Sequence, residues 1–205
     1  IAPPPTADAG ADDDICVGDN IQIGSAAVAG YSYAWDNAVT LSSATVSDPT
    51  ASPTTTTTYT VTVTETATGC TNTDQVTITV NPLPTADAGA DQAICEGEST
   101  QIGSAAIAGN TYSWDNTSSL SSASVANPRA NPTTTTTYTV TVTETATGCT
   151  NTDQVTITVN DVPTADFTFS DLCEGDQTQF TDASTIASGS ISSWTWDFGD
   201  GVGSS

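Results

Sequence analysis

The chain has 205 residues, with 24 acidic side chains against a single basic one, Arg129, and a net charge of −23. A surface of that sign repels phosphate, which excludes nucleic acid and anionic lipid headgroups as partners. Five cysteines without a histidine or a methionine fit disulfides in an oxidising, extracellular compartment better than metal or redox chemistry, and no apolar run approaches the roughly 18 residues of a membrane span, so no membrane insertion is expected here.

In chain order, strand signals fall at 6–9, 20–26, 31–36, 45–47, 50–52, 59–65 and 74–80. Tyr31, Tyr33 and Trp35 lie two apart on one face, and Tyr59, Val61 and Val63 alternate with threonines. That period of two marks a half-buried strand, with β-branched Thr suited to the outer face. Val76, Ile78 and Val80 alternate in the same way after a turn at Thr68-Gly69, so the last two strands form a hairpin. No stretch has the 3.6-residue apolar period of a helix.

The hairpin then recurs. Thr54 to Asn81 is repeated letter for letter as Thr133 to Asn160, a shift of 79 residues (133 − 54), and Trp35 and Trp114, Cys16 and Cys95, and Cys70 and Cys149 keep the same offset. The chain thus reads as two full repeats, 5–83 and 84–162, followed by 163–205, which reads as the N-terminal half of a third domain cut from a longer polypeptide. Seven short strands per repeat predict an all-β fold of tandem immunoglobulin-like sandwiches. The proline-containing linkers around Pro84 and Pro163 predict stiff junctions and a rod.

The third stretch carries Trp194-Thr-Trp196-Asp197-Phe198-Gly199-Asp200-Gly201, which resembles the WDFGDG signature of the PKD (polycystic kidney disease) domain. The full repeats keep Trp35-Asp36 and Trp114-Asp115 and the YTVTVTE-to-GC strand and turn, but lack FGDG. They look like the PKD-like or immunoglobulin-like repeats of giant surface adhesins in gliding and other type IX-secreting bacteria of the Bacteroidota kind. The resemblance implies a cell-surface location, Trp35, Trp114 and Trp196 as core residues, an Asp that ties the following turn, and no catalytic residue.

In an immunoglobulin topology the turn after strand A and the F–G turn lie at opposite ends of a sandwich, and a disulfide needs Cα atoms within about 7 Å. Cys16 therefore pairs preferentially with Cys149 of the next repeat, leaving Cys70, Cys95 and Cys173 to partners outside these residues. The alternative keeps the bonds inside each repeat, Cys16 to Cys70 and Cys95 to Cys149.

With no His and no Lys, a Ser or Thr nucleophile lacks its usual base, so no enzyme is expected. The one candidate site for a cofactor is an acidic cluster at the start of each repeat, Asp8, Asp12, Asp13 and Asp14, then Asp87 and Asp91, with Glu96 and Glu98 nearby. Hard cations such as calcium take six to eight oxygens, and a solvated acidic face is the competing reading. The expectation is a structural repeat region of a secreted cell-surface protein, an adhesin stalk or extracellular filament whose partners are neighbouring copies of itself. The alternative is a module array that binds surface polysaccharide or protein through the loops near Asn37 and Asn116, or that accompanies a secreted hydrolase.

Overall fold

The computed structural model describes residues 3–170, 173 and 177–198. The chain is all-β and divides into two compact units, one of Ile1–Ala86 with Ile107–Thr111 and Val142–Asn151, the other of Asp87–Ala106, Tyr112–Thr141 and Thr152–Ser205.

In the first repeat, strands β1 (Asp13–Cys16), β3 (Tyr31–Trp35), β5 (Thr57–Glu65) and β6 (Thr71–Asn81) form a sheet in the order β1-β6-β5-β3, while β2 (Ile21–Gln22) pairs with β4 (Thr50–Ala51). The β3-β5-β6 order is the C-F-G sheet of an immunoglobulin-like sandwich and β2-β4 its B-E pair. Alternation sets which side chains meet: Tyr59, Val61 and Val63 of β5 and Val76 and Ile78 of β6 are buried with Ile23, Trp35 and Ala51 in one core. On the outer face of the same hairpin, Thr58 stands opposite Thr77, Thr62 opposite Thr73 and Thr64 opposite Thr71. Such cross-strand Thr pairs stabilise a sheet without an apolar surface.

One edge of the Trp35 indole is closely fitted. Its Nε1 donates to the carbonyl of Val46 at 2.9 Å, and the neighbouring Cζ2 lies close to Gly24. A Cβ at Gly24, whose φ is +83°, would stand 2.0 Å from the carbonyl oxygen of Ser47 and 2.9 Å from Cζ2 of Trp35. The buried hydroxyl of Tyr59 is satisfied by Thr40 Oγ1 at 2.7 Å. The turn after β3 is a single 3-10 turn, Ala38–Thr40, entered by Asn37 in the left-handed region at φ 49°. Asn tolerates that region better than most residues, and here its amide donates to the carbonyl of Thr58 at 2.8 Å.

Three sequence expectations need correction. The strand expected at 6–9 does not form in any ladder, and the first strand is instead Asp13–Cys16, parallel to β6 with Cys16 opposite Asn81. Its two exposed carboxylates, Asp13 and Asp14, hid it, because Asp is depleted in strands; of its four residues only Ile15 is buried. Thr45 to Ser47 form bends, not a strand. Asp36 ties no following turn: its Oδ1 accepts the N–H of Thr60 at 2.7 Å and so pins β3 to β5.

The pattern returns with β7 (Gln92–Cys95), β8 (Thr100–Gln101), β9 (Asn110–Trp114), β10 (Arg129–Ala130), β11 (Thr136–Glu144) and β12 (Thr150–Asn160), ordered β7-β12-β11-β9 and β10-β8. Trp114, Tyr138, Val140, Val142, Val155 and Ile157 are buried as their counterparts are, and Trp114 Nε1 donates to Val125 at 2.9 Å. Among the described residues the third stretch contributes β13 (Phe167–Phe169) and β14 (Phe180–Asp182), an antiparallel pair with Phe169 opposite Phe180.

Candidate functional site

The carboxylates at the starts of the repeats act as hydrogen-bond acceptors, mostly for backbone N–H groups. Asp12 Oδ1 accepts the N–H of Thr77 at 2.7 Å, and Asp91 Oδ1 does the same for Thr156 at 2.7 Å. Asp14 Oδ2 accepts the side-chain amide of Asn81 at 2.8 Å. Asp13 accepts the N–H of Asp14 at 2.8 Å, Asp8 that of Gly10 at 3.0 Å, and Asp87 that of Gly89 at 2.9 Å. Strand direction explains why the carboxylates spread: neighbouring positions of an extended chain face opposite ways. Among the described residues no group of three His, Cys, Asp or Glu side chains is placed to hold a metal ion.

Three of the aspartates fasten the edge of the sheet. Asp12, just before β1, and Asp14, within it, hold that strand to β6, as Asp91 holds β7 to β12, and a charged edge strand discourages pairing with other sheets. Sequence reading missed a further member. Asp74 Oδ2 accepts the N–H of Ala9 at 2.8 Å, and Asp153 Oδ2 that of Ala88 at 2.8 Å. Asn72 and Asn151 add bonds to the carbonyls of Pro5 and Pro84 at 2.9 and 3.0 Å. The available signal was the Asn and Asp interrupting a Thr-rich strand at the same place in both copies.

Cys16 ends β1, and Cys149 lies in the turn between β11 and β12. They are bonded, with Cα atoms 5.6 Å apart and a sequence separation of 133, and both belong to the first compact unit. The alternative pairings, Cys16 with Cys70 and Cys95 with Cys149, do not form; Cys70, Cys95 and Cys173 are free thiols. The reason is the length of β6. Cys16 is opposite Asn81 at one end of that strand, whereas Cys70 precedes Thr71 at the other, and 11 residues at about 3.3 Å each exceed the reach of a disulfide several-fold.

The turn around Cys149 is well fastened. Glu144 N–H donates to the Cys149 carbonyl at 2.9 Å, and Thr147 Oγ1 donates to Glu144 Oε2 at 3.0 Å. Glu65 and Thr68 make the matching contact at 2.6 Å beside Cys70. Glu65 and Glu144 therefore serve the turns.

The third stretch differs from both repeats. Trp196, expected in a core, is only half-buried, because no hairpin like β5-β6 covers it among the described residues. Residues Gly199, Asp200 and Gly201 of the WDFGDG signature lie outside the described residues. Around Trp196 a groove of about 490 Å³ is bounded by Asp166, Phe167, Asp182 and Trp194. The hydroxyl and N–H of Ser184 hold the Asp182 carboxyl below its ordinary value of 3.8, with a smaller contribution from the Trp194 indole and a partial opposing effect of desolvation.

No protein-family model matches the chain, and no curated protein matches it. Among solved structures the chain is similar to an I-band fragment of titin, at 14% identity over 80% of this chain and 68% of that one, with a TM-score of 0.38. It is also similar to extracellular domains 3–5 of Drosophila OTK, at 14% identity over 73% and 59% of the two chains, TM-score 0.39. A third is the N-terminal eight-Ig-domain structure of Down Syndrome Cell Adhesion Molecule, at 15% identity over 92% of this chain and 33% of that one, TM-score 0.40.

Proposed function

We propose that these residues are a structural repeat region of a secreted cell-surface protein, built of PKD-like domains of the kind carried by large adhesins of type IX-secreting Bacteroidota, and serving as an extended stalk or filament. The observation that carries this reading is the Cys16–Cys149 bond, which joins the edge strand of one sequence repeat to the hairpin turn of the next copy. A bond so placed resists separation of successive repeats, which is what a load-bearing array requires. The near-identity of the repeats fits the same role, since such arrays gain length by adding units whose stability depends on their neighbours. The partners in this reading are neighbouring copies of the repeat.

Single-molecule pulling on the chain tests it. Under oxidising conditions the segment between Cys16 and Cys149 is withheld from extension, and reductant releases it. At about 3.4 Å per residue, the 133-residue separation corresponds to roughly 450 Å of added contour length. Equal extension with and without reductant contradicts a load-bearing staple, and electron micrographs of native material with no extended objects contradict the stalk or filament.

A further inference from the structure

The Cys16–Cys149 bond is a covalent group that thiols can open, and its surroundings decide which thiols reach it. Its two sides are not equally accessible: Cys16 is half-buried, whereas Cys149 is 1% exposed. Exchange requires a thiolate to reach one sulfur and displace the other, so access selects the sulfur attacked. Cys16 therefore takes the incoming thiol, and Cys149 is the group that leaves.

Carboxylates flank both ends of the bond. Cys16 ends the strand that carries Asp13 and Asp14. Asp14, two positions back, shares its face and accepts from Asn81, the residue opposite Cys16, at 2.8 Å. The chain then turns, and the N–H of Asp19 donates to the Cys16 carbonyl at 3.0 Å. All three of these aspartates are exposed. On the other side the N–H of Cys149 donates to Thr147 Oγ1 at 3.3 Å, and that hydroxyl donates to Glu144 Oε2 at 3.0 Å. The chain has no Lys or His to offset these charges, and Arg129, its single basic side chain, belongs to the other compact unit and donates to Ser99. A thiolate is itself an anion, so it approaches Cys16 against a field of its own sign.

We propose that Cys16–Cys149 is a charge-selective thiol-exchange site, which opens through attack on Cys16 to small thiols that carry a compensating positive charge and resists anionic ones. The first thiolate bonds to the Cys16 sulfur and displaces Cys149, which takes up a proton. A second thiol then frees Cys16 and departs joined to the first as a disulfide. In all, the protein bond gains two electrons and two protons from two small-molecule thiols. The inference goes beyond the proposed staple and stands without it, since selectivity for the charge of the reductant does not depend on load.

The test uses the oxidised chain with Cys70, Cys95 and Cys173 capped by iodoacetamide, so that no exchange starts from its own free thiols. It is treated with cysteamine, mercaptoethanol or thioglycolate, whose thiolate forms are neutral overall, singly negative and doubly negative. Each rate is divided by that of the same thiol on a small neutral disulfide, which removes the intrinsic reactivities. At about 0.01 M salt each added negative charge is expected to slow opening about tenfold, and at about 1 M, where screening reaches only about 3 Å, the spread is expected to shrink to about twofold or less. Peptide mapping is expected to find the first mixed disulfide on Cys16, and Asp13→Asn combined with Asp19→Asn to narrow the low-salt spread. Equal normalised rates at low salt overturn the proposal, as does a spread that survives high salt or is unchanged in the double variant. A first adduct on Cys149 overturns it as well.

Discussion

The carboxylate of Asp12 accepts a 2.7 Å hydrogen bond from the N–H of Thr77, 65 residues further along, and the same bond is made 79 residues later by Asp91 and Thr156. A side chain here takes the place of a ladder carbonyl at the mouth of the parallel β1-β6 pair. Asp12→Ala leaves Thr77 to water, and because the site is exposed the expected loss is about 1 kcal/mol. Asp12→Asn retains a weaker, uncharged acceptor and loses less. Urea unfolding measures the cost, and faster hydrogen exchange at Thr77 with unchanged exchange at Thr156 locates it.

Gly24 and Gly30 separate two reasons for glycine. Both have positive φ, +83° and +87°, but a Cβ at Gly24 meets Ser47 and Trp35 whereas one at Gly30 meets nothing within 4 Å. Gly30→Ala is expected to cost about 1 kcal/mol, the ordinary penalty of a left-handed residue. Gly24→Ala adds a clash with backbone and is expected to cost about 3 kcal/mol or more. Melting temperatures of the two variants, side by side, check the difference.

Removing the Cys16–Cys149 bond frees a long loop in the unfolded chain. Cys16→Ser is expected to lose about 2 to 5 kcal/mol under oxidising conditions. The wild type in reductant is expected to fall to the same stability, and Cys70→Ser, at a free thiol, to change little. Guanidinium unfolding with and without reductant reads all three.

Asp182 gives the third stretch a dependence on acid. Its folded-state pKa lies below the ordinary 3.8 because Ser184 hydrogen-bonds the ionised form. A depressed carboxylate contributes stability that is present above about pH 4 and is lost as pH falls through the lowered value. Tryptophan emission from Trp194 and Trp196 is therefore expected to shift on acidification below about pH 4, and Asp182→Asn to remove that shift.

The hairpins, the buried tryptophans and the tandem organisation were legible because alternation and exact repetition are local signals. Tyr59, Val61 and Val63 announce which face is buried before any partner is known. The strand Asp13–Cys16 was not legible, since its stability comes from partners on β6 about 65 residues away and its own composition argues against a strand. Asp74 was missed for the same reason: its acceptor role depends on Ala9 being brought beside it. The hydrogen bonds of these aspartates were not legible either, because the donors that Asp12, Asp14 and Asp91 accept from, Thr77, Asn81 and Thr156, lie about 65 residues further along the chain.

Arg129 is the only Lys or Arg in the chain, and it lies between Cys16 and Cys149. Trypsin acting on the unfolded, oxidised molecule has one bond to cut, after Arg129, and yields pieces 1–129 and 130–205. Each piece keeps one end of the 16–149 bond, so the nicked molecule migrates as a single species on a gel until a reducing agent parts it into two bands.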